Sequence, residues 1–364
     1  MKILFFGSGP LASLLASRLL SAGQDVTLLA RGRRLQDLQA NGLLLCDLVT
    51  GDCSQQEVNL VESLGPQDAY DLVIAVMGVH YLPQVLPTLA ANQACPNLLF
   101  MGNNAAGPDE LAAAVGRERL LMGFVGAAGT ITDGVAYYAD RIGRSDARLM
   151  LGDPYLGVTP RVEQVATVLE TSGFPVERHA NIDAYLKTHA AAVLPVSCAY
   201  YLAGQDFDRL AATPDAQVVM LRGIKEALAV LRSLHIPIVP PSIDRVMRLP
   251  EPLMVPVMRR RLTAPGARLG VIHMQHMGPE ISVLAAQYSQ LMRLSRLATP
   301  NLDRLLAALS PSVPPIPIGS AGLKLNWRGV YTFLAALSAL TALLFGLNRR
   351  KRSSRRGGKT TRVE

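Results

Sequence analysis

The hydrophobic pattern at the start of the chain predicts an α/β unit. Lys2–Phe6 is an apolar run of strand length that glycines follow, which is typical of a strand buried on both faces. Apolar residues recur with helical spacing over 11–20, Gly23 is placed to end that helix, and 25–29 predicts a second strand. This order within thirty residues predicts a parallel βαβ unit with a right-handed crossover.

The same alternation continues to about residue 178. Buried-strand patterns at 71–76, 97–101 and 120–125, with helical stretches between them, predict a doubly wound parallel sheet within an α/β domain over residues 1–178. Over 179–310 the pattern is helical with almost no strand-like alternation. We therefore expect an all-α second domain over this range.

The end of the chain has a different composition. Residues 311–328 begin with a stretch rich in proline, glycine and serine and are predicted to be a linker. Residues 329–347 carry no charge and have the length of a membrane span, with Trp327 and Tyr331 near one end and a basic tail, 348–364, at the other. We expect a C-terminal hydrophobic helix that anchors a cytoplasmic body to a membrane. The pattern leaves open whether it spans the bilayer or lies on its surface, and a soluble packing helix is the alternative.

Charge and cysteine content narrow the function classes. The net charge is +8, but the last seventeen residues hold eight basic side chains and one acid, so the body is nearly neutral and no nucleic-acid partner is expected. His273 and His276 lie three apart without a third ligand at a telling distance, so no metal site is predicted. Four cysteines without a CxxC pair or regular spacing favour reduced thiols in a cytosolic body over a disulfide framework: Cys46, Cys53, Cys95 and Cys198.

A dinucleotide fingerprint of the form GxGxxA joins the first predicted strand to the first predicted helix. In such a motif the first glycine permits the tight turn, the second lets the backbone approach a pyrophosphate, and the small last residue lets helix and strand pack closely. The phosphates then lie at the positive end of the helix. The expected cofactor-binding residues are Gly7, Ser8, Gly9, Pro10, Leu11 and Ala12.

The end of the second predicted strand favours NADP(H) over NAD(H). A carboxylate there would bind a ribose 2′-hydroxyl, but the chain reads LARGRR, with Arg31 at the decisive point. An arginine accommodates a 2′-phosphate. The alternative is a solvated basic turn.

With these motifs in place, the chain resembles the ketopantoate reductase (2-dehydropantoate 2-reductase) family over about residues 1–309. The resemblance rests on the opening MKILFFGSGPLASLLASRL, on DVTLLARG, NLLFMGNNAAGPDEL and MGFVGAAGTITDGVAYY, and on the late GPEISVL. It implies a Rossmann domain and a helical domain, with NADPH bound in the cleft between them. The helical domain would bind the substrate and serve in dimerisation. The resemblance further implies reduction of a 2-keto acid to a 2-hydroxy acid, a step of pantothenate biosynthesis if the substrate is ketopantoate.

The resemblance also assigns roles to individual residues. Asn103, or its neighbour Asn104, matches the asparagine near the nicotinamide. Lys187 matches the lysine that protonates the nascent alkoxide, and Glu280 matches the acid that holds the substrate hydroxyl. Reduction of a carbonyl needs such a donor, because negative charge develops on the oxygen as hydride arrives.

Several positions depart from the family pattern. Met77 and Gly78 stand where the family has a lysine, and Ala191 and Leu194 stand where it has asparagines. The segment 265–269 has no hydroxyl in place of the family serine. In the family these side chains form hydrogen bonds to the polar ends of the substrate. A site without them discriminates less between substrates, so the identity of the keto acid stays open.

The departures keep two other functions open. One is an inactive NADP-binding sensor or scaffold at a membrane. The other is a different two-domain Rossmann dehydrogenase, acting for instance on an amino or imino acid. His189 is a secondary candidate for assisting another substrate, although it lies two residues past Lys187 and therefore points elsewhere on a helix.

Overall fold

The computed structural model describes residues 1–142, 145–263 and 277–331. The strands are β1 (Lys2–Phe6), β2 (Asp25–Leu29), β3 (Leu43–Asp47), β4 (Cys53–Gln56), β5 (Asn59–Val61), β6 (Leu72–Val76), β7 (Leu98–Met101), β8 (Leu120–Val125), β9 (Ala128–Thr132), β10 (Val135–Ala139), β11 (Arg141–Ile142), β12 (Ser145–Asp146), β13 (Leu149–Gly152) and β14 (Val176–Arg178).

The helices are α1 (Pro10–Ser21), α2 (Gly32–Asn41), α3 (Leu82–Ala91), α4 (Asp109–Val115), α5 (Pro160–Glu170), α6 (Ile182–Leu202), α7 (Phe207–Ala212), α8 (Pro214–Ser233), α9 (Pro241–Met247), α10 (Glu251–Leu262), α11 (Gly278–Ser295) and α12 (Pro300–Ala307). A 3-10 turn, Val79–Tyr81, precedes α3.

The main sheet has eight strands in the order β14-β13-β8-β7-β6-β1-β2-β5. The predicted α/β domain with a parallel sheet is therefore confirmed, although β13 pairs antiparallel with β8. From β1, the chain adds β2 and β5 on one side and β6, β7 and β8 on the other. Such a reversal leaves a crevice at the carboxyl ends of β1 and β6, which is where ligands bind in open α/β sheets.

A second sheet, in the order β4-β3-β10-β9, packs against α1 and was not predicted. Cys46 in β3 and Cys53 in β4 are register partners and form a disulfide. The prediction of reduced thiols is therefore wrong for this pair, because a tight turn brings the two cysteines face to face across an antiparallel hairpin. Cys95 and Cys198 are buried and free.

The helical domain begins after β14 and confirms the predicted change of pattern. Helices α6 and α8 pack against each other at its centre, and α11 and α12 pack on both. Tyr288 of α11 is fully buried, and its hydroxyl donates to the Ala227 carbonyl oxygen over 2.8 Å. The long apolar surfaces of these helices thus enclose a core separate from that of the sheet.

The predicted linker is fastened to the helical domain. The Ile316 side chain is buried, its amide donates to the Leu202 carbonyl, and its carbonyl accepts from Arg209. Asp215 accepts from the amides of Gly322 and Leu323. Residues 311–323 therefore belong to the surface of this domain.

The predicted membrane segment is described only at its start. Residues 332–347 and the basic tail, 348–364, lie outside the described residues, as do the histidines at 273 and 276. Within the described ranges, no helix combines the length and the apolarity that a bilayer crossing requires.

Candidate functional site

An elongated cleft lies at the carboxyl ends of the central strands. Its outer half runs between the glycine loop and the end of β2, with these lining residues: Phe6, Gly7, Ser8, Gly9, Pro10, Leu29, Ala30, Arg31, Arg34, Val76, Met77, Gly78, Tyr81 and Val85. Its inner half is lined by Gly9, Pro10, Leu11, Val76, Met77, Gly78, Met101, Gly102, Asn103, Phe124, Val125, Ala127 and Glu280. The shared residues join the halves into one cleft that reaches from the sheet to the helical domain.

The glycine loop gives the outer cleft an anion-binding end. Gly7 has a φ of 111°, a conformation that favours glycine. Gly9 caps α1 without a side chain and Pro10 opens the helix, so the free amides of its first turn face the cleft without an acidic side chain nearby. Ala12 is buried, as the close packing of α1 requires. The fingerprint thus has the local geometry that its sequence predicts.

Two arginines lie beside this loop. The Nε of Arg31 donates to the Glu62 carbonyl oxygen (2.8 Å), which positions the guanidinium at the end of β2. Arg34 bonds to the carbonyl of Ser8, the carbonyl of Gly134 and the hydroxyl of Ser13. Burial lowers the pKa of Arg34, and Asp37 partly opposes the shift. Arg34 therefore fixes the loop, a role that sequence reasoning missed because Gly134 is a hundred residues away.

The inner cleft is closed by a contact between the two domains. Asn103 follows β7, and its Nδ2 donates to Glu280 Oε1, in the first turn of α11, over 2.8 Å. Both residues are only 8% exposed. The Asn103 Oδ1 is buried and has no hydrogen-bond partner among the described residues, so this pair retains an acceptor for a ligand. Asn104 instead closes a turn with Gly107, which leaves Asn103 as the asparagine at the cleft.

Lys187 is paired with a different residue. Its Nζ donates to Asp183 Oδ2 over 2.5 Å, one helical turn earlier in α6. The Nζ also lies 3.2 Å from the point that a Cβ on Gly107 would occupy, so it contacts the loop that follows Asn103. Lys187 is absent from the described lining of both cleft halves. The structure thus brings Asn103 and Glu280 together and holds Lys187 between Asp183 and the loop that follows Asn103.

His80 lies next to Glu280, outside the described lining of the cleft, and sequence reasoning missed it. A Cβ built on Gly78 would lie 2.7 Å from His80 Nδ1 and 3.0 Å from Glu280 Oε2, so these side chains converge across a glycine. The His80 Nδ1 is buried without a hydrogen-bond partner among the described residues. The available clue was Gly78 itself, which stands in a position where the family has a side chain.

The other departures have a structural outcome. Ala191 and Leu194 are fully buried in the core of the helical domain, so they offer nothing polar to the cleft. Met77 lines both cleft halves with an apolar side chain. The segment 265–269 lies outside the described residues. Among the residues that are described, no group of histidine, cysteine and acidic side chains could hold a metal ion.

His189 packs against the inner cleft without entering it. Its ring centroid lies 4.1 Å from that of Phe124 and 6.4 Å from that of Tyr185. Burial lowers the pKa of His189 to about 4. A neutral imidazole at this partly buried position supports the wall of the cleft and cannot donate a proton as an imidazolium at neutral pH.

The fold and this cleft define a class of proteins in which a Rossmann-type domain and a helical domain enclose a nucleotide-sized crevice. Residues 3–145 match the family model described as Ketopantoate reductase PanE/ApbA. A 2-dehydropantoate 2-reductase from Mesorhizobium japonicum is 35% identical over 91 residues, which are 25% of this chain and 27% of that protein. The chain thus matches about a quarter of this relative's length.

Solved structures extend the fold match to both domains. The PanE/ApbA family ketopantoate reductase from Ralstonia eutropha aligns with a TM-score of 0.66 at 19% identity, over 85% of this chain and 97% of that one. The 2-dehydropantoate 2-reductase from Methylococcus capsulatus gives 0.61 at 19% identity, over 84% and 95%. D-mandelate dehydrogenase with NADH and anilino(oxo)acetate gives 0.68 at 16% identity, over 85% and 97%.

The family model thus matches the N-terminal part of the chain, and the relatives found carry the names of oxidoreductases. At these identities, the solved structures establish the shared fold alone.

His189 makes stability depend on pH. Its pKa is about 4 in the folded protein, against 6.5 for an unperturbed histidine. Between these values the unfolded chain binds more protons, so the free energy of unfolding falls as the pH drops, by roughly 3 kcal/mol in all. We expect His189→Leu to lose most of this dependence in urea unfolding at pH 7 and pH 4.5. His235→Asn, at an exposed histidine, is the control. An unchanged dependence in His189→Leu would contradict the burial argument.

Proposed function

We propose that this protein is an NADPH-dependent reductase that transfers hydride to the carbonyl of a 2-keto acid or a related substrate. The buried Asn103–Glu280 pair carries the proposal, because it lies at the inner end of a cleft that starts at a phosphate-binding loop. The unpartnered Oδ1 of Asn103 is a vacant acceptor at the point where a nicotinamide and a substrate would meet.

The outer cleft fits NADP(H) better than NAD(H). Its described lining has two arginines, Arg31 and Arg34, and no carboxylate. The α1 amides and the loop of Gly7–Ala12 would hold the pyrophosphate, and Arg31 would bind the 2′-phosphate. When bound, the cofactor would supply the hydride.

Three residues of this chain would position the substrate and protonate its carbonyl oxygen as hydride arrives. Glu280 would accept a hydrogen bond from the substrate hydroxyl, and Asn103 would keep that carboxylate oriented. Lys187 is the proposed proton donor. Because it is paired with Asp183, its side chain must turn away from that carboxylate, past the loop at Gly107, to reach the inner cleft.

Two other functions retain support. A binding protein that senses NADP is favoured by the apolar residues at 77, 191 and 194, which remove the polar groups that would hold a keto acid. A dehydrogenase of amino or imino compounds is favoured by Glu280, which is the sole charged residue in the described lining of the inner cleft and would attract a cation. NADPH binding without turnover of any carbonyl would support the first, and product analysis would identify the second.

The sequence also supports attachment to a membrane through residues 329–347, with the catalytic body in the cytoplasm. The uncharged stretch, its aromatic flank and the basic tail suit the core and the two interfaces of a bilayer. Flotation of the full-length protein with lipid vesicles tests this proposal.

Substitution of Lys187 tests the proposed mechanism. We expect Lys187→Ala to lower kcat for NADPH oxidation by about 10²–10⁴ across a panel of keto acids, because general-acid assistance contributes that much. NADPH affinity should stay unchanged, since Lys187 does not line the outer cleft. Lys225→Ala, at a lysine on α8, is the matched control. Undiminished turnover in Lys187→Ala, together with loss of turnover in His80→Ala, would reassign the proton donor to His80.

Substitution of Arg31 tests the cofactor preference. We expect Arg31→Ala to raise the KM for NADPH about 10–100-fold, as the loss of charge-assisted hydrogen bonds implies, and to leave the KM for NADH nearly unchanged. Arg33→Ala is the matched control, because Arg33 is an exposed neighbour that does not line the cleft. Equal effects on both cofactors, or the same effect in the control, would contradict the assignment.

A further inference from the structure

The helical domain exposes an apolar strip near the point where the described chain ends. Six large side chains there are each 44–65% exposed: Val246, Leu249, Leu253, Val257, Trp327 and Tyr331. We call this set the apolar face. Side chains of this size exposed as a group mark interaction surfaces, whereas single ones carry no meaning.

Two segments of chain that carry the apolar face lie side by side. Leu253 and Val257 lie one turn apart on α10, which places them on the same side of the helix. The segment that carries Trp327 is fixed beside the start of α10, because Glu251 accepts from the Asn326 amide (2.8 Å). Gly329 follows in close contact with the ring of Pro250.

The surroundings of the apolar face are basic. Residues 241–263 and 324–331 contain seven basic side chains and two carboxylates. Both carboxylates are already in ion pairs, Asp244 with two arginines and Glu251 with Arg222. Arg260 and Arg261 follow Val257 by three and four positions, so they continue its side of α10 and are exposed. Apolar side chains bordered by exposed arginines are typical of surfaces that bind anionic lipid.

We infer that the apolar face docks on a bilayer that carries anionic lipids, an inference that extends the proposed membrane attachment. The chain itself favours this occupant, since the residues directly after Tyr331 are the uncharged stretch proposed as the anchor. Two other occupants of the apolar face are disfavoured by charge repulsion. A second copy of the chain would place its arginines against those of the first, and the basic tail, 348–364, would also bring positive charge to this basic surface. Docking would fix the orientation of the helical domain on the membrane, whereas the anchor alone would leave that orientation free.

A fluorescent label tests the docking in the full-length protein. Cys95 and Cys198 are buried and the other two cysteines are bonded, so Leu253→Cys provides a single exposed thiol for an environment-sensitive dye. Leu156→Cys, at a 75% exposed leucine of the sheet domain, is the matched control. Both proteins are mixed with vesicles of phosphatidylcholine, with or without phosphatidylglycerol, and flotation is measured alongside emission.

With phosphatidylglycerol, we expect the label at 253 to shift to the blue and to be quenched by brominated lipid, and the label at 156 to stay unchanged. Adding Arg260→Gln and Arg261→Gln to the protein labelled at 253 should raise the concentration of anionic lipid that gives half of this shift, roughly tenfold or more. Flotation with both labels equally exposed to water would overturn the docking and leave the anchor standing. A blue shift at 253 that Leu249→Glu with Val257→Glu abolishes together with flotation would support docking and overturn the anchor. Absence of flotation would overturn both.

Discussion

The hydrogen bond from Asn103 to Glu280 joins the two domains at the cleft, and the proposed chemistry depends on it. A buried carboxylate is costly unless a donor satisfies it, and the Asn103 amide and the start of α11 supply that stabilisation. The pair fixes the end of β7 against the helical domain and therefore sets the width of the inner cleft. Removal of either side chain would leave the other buried and unpaired, at a cost of about 1–3 kcal/mol or more.

The glycine loop and the Asn103–Glu280 pair have different roles in the site. Arg34 locks the loop to the second sheet, so the phosphate-binding end is formed within the first domain alone. The inner end needs both domains, since Glu280 comes from α11 and Asn103 from the sheet. His80 lies beside Glu280 at Gly78, and Lys187 contacts the loop at Gly107. Phosphate binding thus depends on the first domain alone, whereas the proposed reaction depends on how the two domains are positioned relative to each other.

Local patterns made much of the fold predictable. The bounds of β1, β2 and β8 follow from apolar runs that stay buried whatever surrounds them, and the fingerprint follows from a turn that needs glycine. The second sheet was missed because β4 is polar and exposed, and the Cys46–Cys53 bond was missed because it depends on hairpin register. Asn103 and Glu280 came from the resemblance. Arg34 and His80 become apparent only through contacts between residues far apart in sequence.

The central claim is that the cleft holds NADPH with its nicotinamide at the Asn103–Glu280 pair. A crystal structure of the protein soaked with NADPH tests it most directly. Our account predicts phosphates at the first turn of α1, a 2′-phosphate on Arg31, and the reactive carbon of the nicotinamide facing Glu280, with Asn103 Oδ1 within hydrogen-bonding distance of the bound groups. A nicotinamide outside the inner cleft, or a dinucleotide that leaves Asn103 and Glu280 untouched, would contradict it.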